Sequence, residues 1–262
     1  ADYAAQQGVR LVLEHLTPQS SNLLTSADKV SRMVRSIGRK NLGVALDLGQ
    51  MSVFGESVSD YFGPLGDKIW MVHIMDGAPG RHLAFGDGIL PSAAPRWLSG
   101  PYHAGNQRRT IRQSAGSRFT AMSARDGAVG RGSAMKLETL IVSTSAFSRS
   151  SLGYTVSQLE AAGIRRISLW GGAAHGFSGY PGSSQADELR QLMRQHRMEL
   201  IEFAPEVLSY PFNPADDSAE VRRRTAAYYE ACAAFCARVE IPRLLLHPGT
   251  QLLDGSFLQA LH

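Results

Sequence analysis

Three short apolar runs in the first third of the chain each end in a side chain that can bind a metal. Leu11-Val12-Leu13 leads to Glu14, Val44-Ala45-Leu46 leads to Asp47, and Trp70-Met71-Val72 leads to His73. The spacing between the runs is roughly that of one strand-plus-helix unit, and parallel barrels present their functional groups at the carboxyl ends of the strands. The pattern predicts strands over Arg10–Glu14, Gly43–Asp47 and Lys68–Ile74.

Helical periodicity separates these runs. Val30, Met33, Val34 and Ile37 recur at helical spacing, after a Ser26 cap and before a Gly38 stop. Residues 92–134 show neither helical nor strand periodicity, and the alternation resumes at Met135. From there the pattern predicts strands at Leu137–Ser143, Ile164–Trp170, Met198–Phe203 and Arg243–His247, and helices at Thr155–Gly163, Gln185–His196 and Ala219–Val239.

Strands that alternate with helices of this length favour a parallel sheet with crossover helices. The 262 residues are enough for one α/β (β/α)₈ TIM barrel, and we predict a single barrel domain over 1–262. Seven strands are predicted, three before the aperiodic stretch and four after it. The eighth strand is therefore expected within residues 92–134, or else is missing from the barrel.

Composition narrows the class further. The chain is 44% hydrophobic and 19% charged, which is ordinary for a globular protein, and its apolar runs are too short for a membrane helix. We see no signal-peptide pattern at the N-terminus. Cys232 and Cys236 lie four apart in a helical pattern, so we predict small buried hydrophobes rather than a disulfide. These features predict a cytoplasmic protein with no membrane partner.

The net charge of +4 is concentrated in one segment. The segment from Pro95 to Arg131 is rich in Gly and Ser, and its single acid is Asp126. It holds seven arginines: Arg96, Arg108, Arg109, Arg112, Arg118, Arg125 and Arg131. A basic excess can indicate nucleic-acid binding. Because this one lacks an apolar period, we interpret residues 92–134 as an irregular linker and do not expect a nucleic-acid partner.

Several segments of the sequence resemble a known protein family. LEHLTPQSSNLLTSADKV, VALDLGQM, LGDKIWMVHIMDG and RHLAFGDGILP resemble the second half of the xylose isomerase-like sugar isomerases and epimerases. Within that superfamily they are most similar to the fructoselysine and ketose 3-epimerases. GIRRISLWGGAAHGF, EFAPEVLSYPFNP and RLLLHPGTQ resemble the first half of the same family. The resemblance implies a TIM barrel whose halves stand in permuted order, residues 1–91 first and 135–262 second.

Two origins are open for this order. One is a circular permutation, which a closed barrel tolerates because its first and last strands are neighbours. The other is a join of two truncated neighbouring genes, with Met135 as a former start and residues 92–134 as read-through. We favour the second origin, and both lead to the same expected fold.

The resemblance implies a metal-dependent isomerase. Glu14, Asp47 and His73 would bind Mn, Mg, Co or Zn, and Glu14 would also be the base that removes a proton from a ketose to give a cis-enediolate. The family has a second catalytic Glu on its last strand, and this chain has no Glu between Ile89 and Leu137. The activity is therefore expected to be a sugar 3-epimerase or aldose–ketose isomerase type, in a form that lacks one acid.

Further residues are expected around the substrate. The resemblance implies that Arg81 and His82 contact sugar oxygens, for which a guanidinium fork is well suited. Trp170 and His175 follow one strand, and Trp170 is interpreted either as a platform for a sugar face or as a core anchor. Glu206 and His247 lie just past strand ends, so we predict both as pocket residues.

Two other functions stay open at this point. An endonuclease IV-like metal nuclease shares the barrel, but it needs more His and acidic ligands than we find at strand ends. A barrel with no second catalytic Glu could also bind a sugar without turning it over. The expected partner is a small-molecule sugar, and the resemblance adds a homodimer.

Overall fold

The computed structural model describes residues 1–17, 20–74, 76–78, 81–83, 102–104, 140–147, 149–172, 175, 183–205 and 212–251. Ten strands lie in this part of the chain: β1 (Arg10–Glu14), β2 (Leu42–Asp47), β3 (Ile69–Ile74), β4 (Asp76–Ala78), β5 (Arg81–Leu83), β6 (Tyr102–Ala104), β7 (Leu140–Ser143), β8 (Arg166–Trp170), β9 (Glu199–Ala204) and β10 (Arg243–Leu246).

Eight of these strands form a closed parallel barrel, so the chain has the α/β TIM-barrel fold expected from its sequence. The order around the barrel is β1-β10-β9-β8-β7-β6-β3-β2, and β4 and β5 form a separate antiparallel pair. β1 closes the ring, because Leu11 pairs with Leu42 on one side and with Leu244 on the other. The eighth strand is β6, which pairs with β3 and β7 from within the stretch predicted to be irregular.

Helices connect the strands on the outside of the barrel. The described helices are α1 (Asp2–Gln6), α2 (Ala27–Ile37), α3 (Leu48–Val53), α4 (Val58–Leu65), α5 (Leu152–Ala161), α6 (Ser183–His196) and α7 (Ala219–Arg238). The Ser26 hydroxyl caps α2 by accepting from Lys29 N at 3.3 Å, and Gly38 ends it in the left-handed conformation. α5 begins three residues earlier than predicted, because Ser151 caps it by accepting from Tyr154 N.

The core has two parts. The larger cluster packs the outward faces of the strands against the helices, with Phe203 and Phe235 in ring contact at 5.2 Å. A smaller cluster takes one buried residue from each of six strands and fills the inside of the barrel: Val12, Ala45, Met71, Ile141, Ile201 and Leu245. Strands buried on both faces are expected in a parallel barrel. The smaller cluster supports the residues that lie above it at the carboxyl ends of the strands.

Two β-bulges change which side chains face the inside. Between β2 and β3 the register passes from Val44–Ile69 to Ala45–Met71, so Trp70 is the extra residue. Between β8 and β9 it passes from Ile167–Leu200 to Ser168–Glu202, so Ile201 is the extra residue. A bulge interrupts the alternation of a strand and re-aims the following side chain.

Hydrogen bonds connect the loops after β1 and β9 to the loop after β10. Ser21 Oγ donates to the Gly249 carbonyl at 2.5 Å, Asn22 Nδ2 donates to the Gln251 carbonyl, and Asn213 Nδ2 donates to the Thr250 carbonyl. Among the described helices, none is long and apolar enough to cross a bilayer.

Candidate metal centre

The three residues predicted as metal ligands meet at one edge of the barrel. Glu14 and Asp47 are the last residues of β1 and β2, and His73 lies one residue before the end of β3. The three strands are adjacent in the order β1-β2-β3, and all three side chains are buried. One ligand atom from each lies within 4.8 Å of the other two. The structure therefore brings together two carboxylates and an imidazole that the sequence spaces over about sixty residues.

Both carboxylate oxygens of Glu14 are engaged by imidazoles. Glu14 Oε1 lies 2.5 Å from His73 Nδ1, and Glu14 Oε2 lies 3.1 Å from His247 Nε2. His247 follows the end of β10, the strand on the other side of β1. The structure thus brings His247 into contact with Glu14, and its predicted role in substrate binding stays a prediction.

Asp47 is fixed by the turn that begins α3. Its Oδ1 accepts a hydrogen bond from Gln50 N at 2.9 Å, and the Gln50 side chain accepts from Thr17 N at 2.7 Å. This pair of bonds connects the end of β2 to the loop after β1. The orientation of Asp47 is therefore set by backbone groups.

The charges at the centre are unevenly distributed. Burial raises the pKa of Glu14, but His73 and His247 outweigh burial and hold that pKa well below its usual range. Burial and the Glu14 charge raise the pKa of Asp47 to about 7. Burial lowers the pKa of His73, but the Glu14 charge outweighs burial and raises it well above the usual range. Glu14 and His73 thus stabilise each other's charged forms, whereas burial and the Glu14 charge disfavour the charged form of Asp47 more than His73 favours it.

This donor set fits a divalent cation. Two buried carboxylates that repel each other are stabilised by a positive ion between them, and one imidazole completes a mixed O/N ligand set. Such a set suits Mn, Zn or Co, and its carboxylates also suit Mg. Glu14, Asp47 and His73 are the residues that would hold the ion.

The remaining predicted pocket residues fall into two groups. Trp170 and His175 lie together, with their rings edge to face at 5.8 Å, and His175 Nδ1 shares a hydrogen bond with Thr144 Oγ1. His175 is buried at 4% exposure, so it lies inside this polar cluster. Arg81 and His82 form β5, but their side chains lie outside the described part of the structure, as does Glu206 altogether. Their contacts with substrate stay predictions.

Sequence reasoning missed one charged residue near the centre, Glu202 on β9. Its Oε1 accepts a hydrogen bond from Ser168 Oγ at 2.9 Å and lies 3.8 Å from His73 Nε2. The signal was a single acid inside the apolar run Leu200–Phe203. In a regular strand, successive side chains face opposite sides, so Glu202 would face outward because Ile201 faces the inside of the barrel. The bulge at Ile201 shifts the register, and Glu202 also faces the inside.

Fold and site together define a TIM barrel with a carboxylate–imidazole centre at the carboxyl ends of three neighbouring strands. Comparison with known proteins supports this description. Residues 1–97 match the sequence profile of the xylose isomerase-like TIM barrel family. The resemblance inferred from residues 8–91 is therefore confirmed over the first third of the chain.

Two curated relatives match the chain. Both carry the name fructoselysine 3-epimerase, one from Escherichia coli O157:H7 and one from Shigella flexneri, and each is 36% identical over 92 residues. The match covers 34% of this chain and 34% and 33% of the two relatives. The chain thus spans about a third of the length of the curated relatives it matches.

Proposed function

We propose that this protein is a metal-dependent sugar epimerase or isomerase that acts on a ketose or ketose derivative. The observation that carries the proposal is the convergence of Glu14, Asp47 and His73, with ligand atoms within 4.8 Å, at the catalytic end of a TIM barrel. The names of the two relatives and the matching family profile support the same class.

The chemistry assigned to this chain is proton transfer at the carbon beside the substrate carbonyl. Glu14 is the base, because its carboxylate is buried at the carboxyl end of β1 and lies among the candidate ligand atoms. Glu14, Asp47 and His73 would hold a divalent cation, which would supply Lewis-acid charge beside the substrate carbonyl. The abstracted proton leaves carbon as the Glu14 carboxyl proton and returns to carbon from the same group or from solvent.

His247 has a supporting role in this scheme. Its bond to Glu14 Oε2 holds one oxygen of the base, while the other oxygen faces His73. The carboxylate therefore has a fixed plane, which is a requirement for proton abstraction at a defined carbon.

The test has a metal arm and an exchange arm. Dialysis against trace Mn²⁺ is followed by metal analysis of the parent, Glu14→Gln, His73→Ala and the exposed control Asp28→Asn. We expect near-stoichiometric Mn²⁺ in the parent and control, and loss in the two site variants. In D₂O, a ketose panel is then scanned for deuterium beside the carbonyl, with a loss of about 10²-fold or more in Glu14→Gln.

The outcomes separate the classes considered. Exchange with inversion supports an epimerase, and exchange with transfer to the neighbouring carbon supports an isomerase. Exchange without net conversion identifies a barrel in which Glu14 works without a second acid. Bound metal with no exchange on any ketose contradicts the proposal, and strand cleavage of DNA would replace it with the nuclease reading.

A further inference from the structure

Glu202 is a buried carboxylate beside the metal centre that none of the predicted roles uses. It is 0% exposed, and its Oε1 lies 3.8 Å from His73 Nε2. Glu14 lies at the other ring nitrogen, 2.5 Å from His73 Nδ1. The imidazole of His73 is therefore bracketed by two carboxylates, one at each nitrogen.

The backbone determines the position of Glu202. Ile201 is the extra residue of the β9 bulge, and its side chain packs in the cluster inside the barrel. The next residue, Glu202, lies opposite Ser168 of β8. Its Oε1 accepts a hydrogen bond from Ser168 Oγ, with 2.9 Å between the two oxygens. Two successive side chains thus face the inside, which a regular strand does not allow.

A carboxylate at this place is expensive in free energy. Its neighbours Leu200, Ile201 and Phe203 are buried apolar residues, and an ionised group taken out of water loses several kcal/mol of solvation unless it is paired. A neutral polar residue would suffice to satisfy the Ser168 hydroxyl. A negative charge here calls for a positive or proton-donating partner. His73 is at ion-pair distance, and the Arg243 guanidinium also interacts with the Glu202 charge.

We propose that Glu202 is the positioning residue for His73, holding the proton on Nε2 so that Nδ1 is presented to the cation. The inference rests on the proposed function, because it concerns the same centre. A ligating histidine commonly donates its other ring N–H to a carboxylate, which fixes the tautomer and strengthens the ligand. Ser168 completes the arrangement by fixing the oxygen of Glu202 that faces the ring.

The first test measures Mn²⁺ affinity by isothermal titration in the full chain. Glu202→Gln keeps the size of the side chain and its ability to accept from Ser168, but it removes the charge. Removal of such an outer partner lowers metal affinity about 10–100-fold, and we expect that loss here. Glu199→Gln is the matched control, because Glu199 lies on the same strand with an exposed side chain paired to Arg166, and its affinity should match the parent.

A double-mutant cycle separates positioning from general structure. His73→Ala loses Mn²⁺ at the trace concentration used in dialysis, so its weaker affinity is measured at millimolar Mn²⁺. In this background, Glu202→Gln should change that affinity by less than about twofold, because the group it positions is gone. An equal loss with and without His73 overturns the assignment. The assignment is also overturned if Glu202→Gln loses both its Mn²⁺ affinity and its thermal unfolding transition, because removal of any structurally required carboxylate would give that result.

A second readout does not depend on metal. In ¹⁵N-histidine NMR spectra, His73 should show a slowly exchanging Nε2–H proton that is lost in Glu202→Gln and kept in Glu199→Gln. Retention of this proton in Glu202→Gln overturns the inference. If instead the parent binds no Mn²⁺, or Glu14→Gln binds it as tightly as the parent, the proposed function fails while the NMR result still decides the role of Glu202.

Discussion

Single residues decide how tightly the inside of the barrel is filled. A Cβ built on Gly43 would overlap the indole of Trp70, the extra residue of the β3 bulge. The indole is flanked by two cations, with Arg10 5.3 Å and Lys68 5.7 Å from the ring centroid. The glycine thus provides the room for Trp70, and neither residue can change alone without repacking.

We expect Gly43→Ala to lower the free energy of unfolding by about 1–3 kcal/mol through this overlap. Gly153→Ala is the control, because nothing lies within 4 Å of its Cβ and alanine is favoured within helix α5. Urea denaturation of both variants checks the prediction. Adding Trp70→Leu to Gly43→Ala should recover part of the loss, and an unchanged midpoint for Gly43→Ala alone would contradict this account.

The two cysteines are predicted to be chemically silent in the folded protein. Cys232 and Cys236 are free and fully buried on α7, as the sequence indicated. Burial raises the pKa of Cys232 to about 12 and that of Cys236 well above its usual range. Since the thiolate is the reactive form, about one Cys232 in 10⁴ is reactive at pH 8.

A disulfide reagent such as Ellman's should therefore report no fast thiol in the native protein and two in guanidinium chloride. The native rate should follow the rate of unfolding when denaturant is added below the midpoint. Rapid labelling of one thiol in the native state would show that α7 opens locally and would contradict the packing described for this helix.

At the scale of elements, helix caps offer a matched comparison. Ser26 and Ser151 each cap a helix with a side-chain hydrogen bond, whereas Ser218 stands before α7 without one. We expect Ser26→Ala and Ser151→Ala to lower the free energy of unfolding by about 1 kcal/mol each. Ser218→Ala should have a smaller effect in the same thermal denaturation series, and an equal loss in all three would mean that the cap bonds are not responsible.

Most elements were predictable because their signals are local. β1 has the predicted bounds, β2 gains Leu42, and β8 starts two residues later than predicted, at Arg166. Apolar runs and caps act over a few residues, so a single sequence suffices for them. The bulge at Ile201 depends on the register between β8 and β9, which no local pattern encodes. The position of Glu202 inside the barrel could therefore not be predicted from the sequence.

The candidate site divides in the same way. The candidate metal ligands Glu14, Asp47 and His73 were predictable as a set because each follows its own apolar run. The contacts of the site were not, since Glu14 and His247 lie 233 residues apart and meet only when β1 pairs with β10. The eighth strand was expected somewhere within residues 92–134, but the bounds of β6 could not be predicted, because three residues are too few to show a period.

At the scale of the whole molecule, closure rests on the seam between β1 and β10. Four residue pairs join these strands, from Arg10–Arg243 to Leu13–Leu246. The 249–251 loop adds five hydrogen bonds to Ser21, Asn22 and Asn213. A chain that ends after Ile241 loses all of them together with His247. We expect it to lose its cooperative thermal transition, followed by circular dichroism, and its Mn²⁺ binding.

A chain that ends after Gln251 is the matched control, since it keeps the strand, the loop bonds and His247. The difference between the two truncated chains isolates the contribution of β10. A cooperative transition in the shorter chain would show that the remaining seven barrel strands are enough for cooperative folding. The pairing of β1 with β10 would then matter only for the candidate metal site.

The seam also sets an order of events during synthesis. The three candidate metal ligands precede Glu202 and His247 in the chain, so they are synthesised before these two contact residues. Pairings this distant along the chain form slowly, because a long loop must close before the contact can stabilise it. A nascent chain therefore carries Glu14 and His73 without Glu202 and His247 until the later strands have been made. Metal binding in the native geometry would therefore follow closure of the barrel and would stabilise the closed form.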